Sequence, residues 1–298
     1  MLPNFLVIGA AKAGTTSLRT YLGEHPEVFV PDRGEPSFFA HEGERLAYCG
    51  PGDDDWTFVT DRQAYERLFD DAEGYAAVGE VSPRYLYFPR AADRIRHHLP
   101  DVRLVTVLRH PVDRAYSHFL MNRDRRCEPE ADFVRALERG AEREAKGWGW
   151  DWQYVGAGRY HEQLARYYER FDERQICVLL YDDLKRDKAR FFSTLFTFLG
   201  VRPDVTPDTS VRHREAALPR VPVLRSLLER PSALKTALAP WIPAAPYRRV
   251  KAAVRAWNNV RPDPLPEPVR SDVMARYFQD DVEKLERLIG ADLSHWMP

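Results

Sequence analysis

The chain has 298 residues, enough to bury a substantial core either as one α/β domain with excursions or as two domains. Its hydrophobic share of 44% and charged share of 30% are typical of a globular enzyme, and a net charge of −1 argues against a general nucleic-acid binder. The charge is uneven, because residues 212–261 carry a net +9 and the remainder a net −10.

The cysteines and the apolar segments indicate the cellular compartment of the protein. Cys49, Cys127 and Cys177 are odd in number and contain no C-x-x-C pair, which fits neither a disulfide framework nor a zinc site. The first residues lack the basic and apolar regions of a signal peptide, and no stretch approaches the roughly 18 apolar residues that span a bilayer. We therefore expect a cytoplasmic protein without a transmembrane segment.

Short apolar runs alternate with helical patterns along the first 200 residues. Strands are predicted at 5–8, 28–30, 75–78, 102–108 and 175–180, and helices at 15–24, 61–70, 91–98, 112–125, 130–145, 159–171 and 188–199. This alternation predicts a three-layer α/β fold in which helices flank a central parallel sheet. Beyond residue 200 many prolines interrupt short helical pieces, and the last helix is predicted at 269–289.

The loop after the first strand has the pattern of an anion site. Its Gly9-x4-Gly14 spacing matches a P-loop, but Thr15 stands where a nucleoside triphosphatase has lysine, and the lysine lies inside the loop. Backbone N–H groups and the positive end of the helix dipole converge at such a turn. The alternative is a tight turn whose hydroxyls cap the helix. The residues predicted to bind the anion are Lys12, Ala13, Gly14, Thr15, Thr16 and Ser17.

A second candidate anion position follows the strand at 102–108. That strand ends in Arg109, and Ser117 follows eight residues later, two turns into the next helix. A metal-assisted nucleotide hydrolase needs an acidic residue at such a strand end, but this strand ends in Arg109-His-Pro111. Arg109 and Ser117 suit a second, separate phosphate. The alternative makes Arg109 a surface cation and Ser117 a helix residue without function.

At this point the sequence resembles a known family. Lys12-Ala-Gly-Thr-Thr-Ser17 resembles the 5′-phosphosulfate loop of sulfotransferases that use 3′-phosphoadenosine 5′-phosphosulfate (PAPS), and Leu108-Arg-His-Pro-Val-Asp-Arg-Ala-Tyr-Ser117 resembles their 3′-phosphate motif. The resemblance covers roughly residues 4–200 and is to the branch with heparan sulfate sulfotransferases and bacterial relatives. It implies a P-loop-like α/β fold, PAPS as co-substrate, 3′,5′-adenosine bisphosphate (PAP) as product, and no metal.

The same resemblance implies a domain plan. We expect one sulfotransferase domain over 1–298, with a nucleotide-binding and catalytic core over 1–200. Residues 201–298 are then a Pro-rich, basic, mainly helical extension of the same domain.

The resemblance also suggests a catalytic base. Gly34-Glu-Pro-Ser-Phe-Phe39 is similar to the Lys-Glu-Pro-x-Phe-Phe segment of that branch, in which the Glu is the base. Glu35 is therefore the expected base, although Gly34 replaces the common Lys, and the alternative is a solvated loop carboxylate. His41 is the fallback base.

Further candidates for acceptor or nucleotide contact follow along the chain. Gly79-Glu-Val-Ser-Pro-Arg-Tyr85 resembles a Glu-Lys-Ser/Thr-Pro-x-Tyr segment in which Val81 replaces the family Lys, and Arg84 is the candidate substitute. Glu80 either serves the site or pairs with a cation. Gly158-Arg-Tyr160 is interpreted as mainly structural, with Tyr160 as an acceptor-contact candidate. The late basic residues Arg214 and Arg220 are candidates to reach back to the nucleotide.

The acceptor is not identified by these motifs. The aromatic run Trp148-Gly-Trp-Asp-Trp152 either stacks on an acceptor or packs under a loop. The amphipathic, basic segment 212–261 is either a solvated helical face or a docking surface for an anionic glycan, a carrier protein or a membrane surface.

The predicted activity is sulfuryl transfer from PAPS to a hydroxyl, less readily an amine, of a carbohydrate, lipid or small-molecule acceptor. Lys12 stabilises the leaving phosphate and Glu35 is the base. The alternatives are a P-loop nucleotide kinase or NTPase and a non-catalytic nucleotide-binding module. No nucleic acid partner is expected, and the oligomeric state and the choice between O- and N-sulfation stay open.

Overall fold

Five short strands form the central sheet of the computed structural model, which describes residues 2–53, 57–209, 218–219, 259–260 and 262–297. In chain order they are β1 (Phe5–Gly9), β2 (Val28–Phe29), β3 (Ala77–Val81), β4 (Arg103–Leu108) and β5 (Ile176–Leu180). They lie in the order β2-β3-β1-β4-β5, and every adjacent pair is parallel. The central position of β1 explains its continuous apolar run, since all five of its residues are buried.

Helices flank this sheet, so the predicted α/β fold with a central parallel sheet is confirmed. The helices of the first 200 residues are α1 (Thr15–Gly23), α2 (Phe38–His41), α3 (Arg62–Glu66), α4 (Pro89–His98), α5 (Pro111–Asp124), α6 (Phe133–Glu138), α7 (Gly140–Ala145), α8 (Tyr160–Tyr168), α9 (Tyr181–Arg186) and α10 (Lys188–Leu199). Two further helices, α11 (Glu267–Tyr277) and α12 (Gln279–Ile289), lie near the end of the chain. A short antiparallel pair joins β6 (Leu218–Pro219) to β7 (Asn259–Val260).

Two helices predicted as continuous are each divided in the structure. The helix predicted at 130–145 is α6 and α7, which meet at Arg139 just before the poor helix former Gly140. The helix predicted at 269–289 is α11 and α12, which are separated by Phe278. Phe278 is buried and packs so closely on Gly158 that a β-carbon there would lie 2.7 Å from its ring. Tertiary packing of one aromatic side chain therefore accompanies the second break, which periodicity did not predict.

The carboxyl ends of the parallel strands form the edge on which the candidate site lies. β1 lies between β3 and β4, so the chain continues from β1 to one side of the sheet and returns later on the other. A crevice opens at such a reversal of strand order, and ligands of open α/β sheets bind there. Within the described residues, none of the helices combines the length and the apolar character needed to cross a bilayer.

Candidate functional site

The loop between β1 and α1 presents its backbone toward the carboxyl edge of the sheet. Gly14 is the N-cap of α1 in a left-handed conformation, with φ of 86°, and no described side chain caps the helix there. Lys12 also has a positive φ, of 71°. Thr15 is buried, whereas Thr16 and Ser17 are half-buried. The first N–H groups of α1 are thus left without a side-chain cap, an arrangement that suits an anion.

Arg109 joins the end of β4 to this loop. Its guanidinium Nη1 donates to the backbone carbonyl of Lys12 at 3.1 Å, and its Cζ lies 5.3 Å from the centre of the Tyr181 ring. Tyr160 is fully buried and donates from its hydroxyl to the backbone carbonyl of Arg109 at 2.9 Å. The loop and the strand end, which the sequence treated as two separate motifs, are therefore in direct contact.

Helix α5 runs from Arg109 past the loop. Ser117 is half-buried on this helix, and one turn later the Sδ of Met121 lies 3.4 Å from the Nζ of Lys12. The Lys12 charge is also among the causes that lower the pKa of His118 to about 4, after burial of the ring and together with Arg114. Helix α5 thus carries both the predicted phosphate serine and side chains next to Lys12.

Glu35 lies beside a buried arginine. Its Oε2 is 3.7 Å from Nε of Arg84, and the Glu35 side chain is 37% exposed while that of Arg84 is 2% exposed. The Cζ of Arg84 lies over the rings of Phe58 and Trp150, at 4.9 and 4.5 Å from their centres. The carboxylate predicted as a base is therefore open to solvent on one side and next to a fixed cation on the other.

Glu80 belongs to a hydrogen-bonded cluster behind Glu35. Its carboxylate accepts hydrogen bonds from the hydroxyls of Tyr65, Ser82 and Tyr85, at 3.3, 2.6 and 2.5 Å. Burial raises the pKa of Glu80 to about 7 against the lowering effect of these hydroxyls, and the Glu35 charge adds to the rise. Ser82 also accepts a hydrogen bond from the backbone N–H of Ser37, at 2.9 Å. Glu80 thus supports the turn that carries Glu35 through Ser82, which makes it part of the architecture of the site.

The fallback base lies in the protein interior. His41 is fully buried, its ring centre is 4.5 Å from that of Phe58, and its Nδ1 lies 3.8 Å from Oε2 of Glu44. Burial, assisted by the Arg84 charge, lowers its pKa to about 4. Such a ring is neutral at physiological pH and has no solvent-facing edge, so Glu35 is better placed than His41 to meet an acceptor.

The chain matches the family model described as "Sulfotransferase domain" over residues 2–216. It belongs to the sulfotransferase family. The prediction of this family is confirmed. A solved sulfotransferase from Alicyclobacillus acidocaldarius is 31% identical, covers 99% of both chains and superposes with a TM-score of 0.77.

Two curated sulfotransferases show the range of the relatives. Human heparan sulfate glucosamine 3-O-sulfotransferase 3B1 is 27% identical over 69% of this chain and 48% of its own length. The membrane-associated sulfotransferase kil1 of Dictyostelium discoideum is 33% identical over 40% of this chain and 22% of its own length. The chain thus spans less than half the length of these relatives, and the acceptor in the human protein's name is a property of that protein.

Part of the site prediction lies outside the described residues. The predicted nucleotide contacts Arg214 and Arg220 fall there, and so does most of the basic segment 212–261. In the aromatic run, Trp150 and Trp152 are buried and Trp148 is half-buried, so these rings pack largely inside the sulfotransferase. In 2–53, 57–209 and 262–297, no group of three His, Cys, Asp or Glu side chains is arranged to hold a metal ion.

Sequence reasoning missed three side chains near the site. Tyr181 follows β5 directly, and a β-carbon on Gly14 would lie 3.0 Å from its ring. His118 and Asp151 form a buried pair at 3.2 Å, and Asp151 lies 4.0 Å from Arg84. In the sequence, His118 could have been noticed because it follows Ser117, and Asp151 because it lies inside the aromatic run. Neither position indicates that the two side chains form a pair.

Proposed function

We propose that this sulfotransferase takes its sulfuryl group from PAPS and transfers it to a hydroxyl, less readily an amine, of an acceptor. The observation that carries the proposal is the 3.1 Å hydrogen bond from Arg109 to the Lys12 carbonyl. It joins an anion position at the loop to a second one at the end of β4. Two adjacent anion positions suit a nucleotide that carries separate 5′ and 3′ phosphates.

Lys12 and the start of α1 are assigned to the 5′-phosphate. The uncapped N–H groups at Gly14 and the hydroxyls of Thr15, Thr16 and Ser17 hold its oxygens. The Lys12 ammonium neutralises the negative charge that grows on the leaving phosphate during transfer. Arg109 and Ser117 are assigned to the 3′-phosphate, which anchors the nucleotide without taking part in bond breaking.

Glu35 is assigned as the base. In the transfer step the acceptor oxygen attacks sulfur, the bond between sulfur and the bridging oxygen of PAPS breaks, and PAP leaves with that oxygen. The acceptor proton passes to Glu35, and the product is a sulfate ester. The 37% exposure of the Glu35 side chain supports this role, because an acceptor hydroxyl can approach it from solvent.

The proposed acceptor class is broader than the donor assignment. Carbohydrate, lipid, carrier-linked and small-molecule alcohols all fit the chemistry, and heparan sulfate is the acceptor named for several relatives. We propose a cytoplasmic protein in which residues 212–261 dock the anionic acceptor or its carrier, with weak contact to a membrane surface as a further role of that segment.

Nucleotide binding is the first test of the donor. Isothermal titration calorimetry is expected to detect binding of PAP without added metal, and tighter than that of Mg·ATP. Lys12→Ala is expected to weaken PAP binding about 10- to 100-fold, since it removes a charge-assisted contact. Lys284→Ala, at an exposed lysine paired with Asp280, is the control. A preference for Mg·ATP would contradict the proposal.

Transfer of radiolabelled sulfate is the second test. PAPS labelled in the sulfuryl group is offered with a panel of glycans, phenols, lipids and carrier-bound alcohols, which also identifies the acceptor. Glu35→Gln is expected to lower kcat about 10²- to 10⁴-fold while PAP affinity is retained. Glu283→Gln on α12 is the matched control. Full activity in Glu35→Gln would remove Glu35 from its assigned role.

A further inference from the structure

One buried guanidinium is shared by two carboxylates. Arg84 Nε lies 3.7 Å from Oε2 of Glu35, and its Nη1 lies 4.0 Å from Oδ2 of Asp151. The two carboxylates differ in their surroundings, since the Glu35 side chain is 37% exposed and that of Asp151 is 3% exposed. Glu35 is therefore the partly solvent-exposed partner of Arg84, and Asp151 is its buried partner.

The position of Arg84 is fixed by its packing. Its Cζ lies 4.9 Å from the ring centre of Phe58 and 4.5 Å from that of Trp150. A planar guanidinium that lies over two rings, with a side chain 2% exposed, has little room to change rotamer. The cation therefore stays in place when one of its carboxylates is removed.

Asp151 is itself held from helix α5. Its Oδ1 lies 3.2 Å from Nε2 of His118, and its backbone carbonyl accepts a hydrogen bond from Asn122 at 2.8 Å. The other ring nitrogen of His118 faces Nη1 of Arg114 at 3.4 Å, which makes Nδ1 the acceptor and Nε2 the donor. A neutral His118 thus orients Asp151 without neutralising it.

Other charged or titratable groups surround this set. The groups that act on Arg84, Asp151, His118 or Glu35 from neighbouring segments are Lys12, His41, Tyr48, Glu80, Arg114 and Arg125. The Arg84 charge, then His118 through its hydrogen bond, and last the Arg125 charge hold the pKa of Asp151 below its usual range despite burial. Asp151 therefore stays ionised across the physiological range and offsets positive charge behind Glu35.

We propose that Asp151 is a positioning residue for the transfer reaction, which shares the Arg84 cation with Glu35 so that Glu35 keeps its ability to accept the acceptor proton. This inference rests on the proposed role of Glu35 as base. Without Asp151 the fixed Arg84 cation faces Glu35 with less compensation, which favours the charged carboxylate and makes it a weaker base.

Carboxyl ¹³C NMR of the full-length protein, labelled at the glutamate side-chain carboxyl carbon, tests the proposal without any acceptor. The Glu35 signal is assigned by its loss in Glu35→Gln. Asp151→Asn is expected to move the midpoint of this signal to lower pH, because the Arg84 cation is then less compensated. Once an acceptor is in hand, the acid limb of the kcat/KM profile is expected to move to lower pH by the same amount, with PAP affinity unchanged.

The control is a second buried carboxylate in the same region. Glu128 pairs with Arg143 at 2.6 Å, so Glu128→Gln costs stability but is expected to leave the Glu35 titration unchanged. Asp151→Glu, which restores the charge, is expected to return the Glu35 pKa toward the wild-type value. If Asp151→Asn does not fold, Asp151→Ser carries the same expectation.

An unchanged or raised Glu35 pKa in the Asp151 variant overturns the inference. Failure of the proposed function has a different signature, because wild-type protein would then neither bind PAP nor transfer sulfate. If the protein transfers sulfate but the Glu35 signal titrates identically in wild type and in Asp151→Asn, this inference is refuted and the proposed function stands.

Discussion

Gly14 illustrates how a single residue makes the anion loop possible. Its φ of 86° lies in the left-handed region, where a β-carbon is strained. The Tyr181 ring also approaches so closely that a β-carbon would lie 3.0 Å from it. Glycine is therefore required twice, for backbone conformation and for the contact between the loop and α9.

These two requirements can be separated by mutation. Gly14→Ala is expected to lower the free energy of unfolding by about 1–3 kcal/mol and to weaken PAP binding, because the ring or the loop must move. Chemical denaturation and calorimetry measure the two effects. Gly74→Ala is the matched control, since Gly74 has φ of 90° but nothing within 4 Å of a new β-carbon. Equal loss of PAP affinity in both variants would contradict a specific role for the Gly14 contact.

At the scale of the element, β3 couples a buried acid to the turn that carries Glu35. Glu80 is the penultimate residue of this strand and accepts three hydroxyl hydrogen bonds, one of them from Ser82, which also accepts from the Ser37 N–H. The folded-state pKa of Glu80 is about 7 against a usual value of 4.5, mainly because of burial. The folded protein thus holds the Glu80 proton more tightly than the unfolded chain does.

The sign of the pH dependence follows from this difference. The contribution of Glu80 to stability is fully present below about pH 4.5 and is lost as pH rises through 7, since folding then requires a buried charge or a retained proton. Glu80→Gln is expected to remove this slope, which amounts to about 2 kcal/mol between pH 5 and pH 8. Urea unfolding at both pH values measures it, and Glu73→Gln at an exposed position is the control. A slope equal to wild type in Glu80→Gln would show that another group titrates.

At the scale of the whole molecule, residues near the end of the chain pack against the segments that follow β4 and β5. Trp296 is buried, donates from its indole to Asp182 at 3.0 Å, and accepts at its backbone carbonyl from His110 at 3.0 Å. Asp281 on α12 accepts from the backbone N–H of His161 at 3.1 Å. His110 follows Arg109, so this packing holds the backbone next to the residue proposed for the second anion position.

These contacts predict that residues 262–297 and the α/β core unfold together. Trp296→Ala is expected to cost about 3–5 kcal/mol through loss of a large buried side chain, and to weaken PAP binding through His110 and Asp182. Trp296→Phe, which keeps most of the ring volume but loses the indole donor, is expected to cost about 1–2 kcal/mol. Differential scanning calorimetry is expected to record one transition for wild type. Two separate transitions would contradict the single-domain prediction.

The candidate site residues that sequence patterns could propose lie within single strand–loop–helix units. The Gly9-x4-Gly14 spacing, the lysine inside the loop, and Arg109 eight residues before Ser117 are local patterns with local physical causes. The parallel sheet followed in the same way from the alternation of apolar runs and helical periods. The break at Arg139 has a local signal in Gly140, whereas the break at Phe278 accompanies long-range packing on Gly158 and has no local signal.

The sequence by itself determined the sulfotransferase family and the α/β fold, whereas the residues that it assigns to two anion positions stay a prediction. Only the tertiary structure decided how Glu35, Arg84, Asp151 and His118 are arranged, because these residues are far apart in the chain and meet through the packing of α5 and the turn at Trp150 against the sheet edge. A charge–charge contact between distant segments leaves no periodic pattern and no fixed spacing in the sequence. Its energy depends on burial and distance, which exist only once the chain is folded.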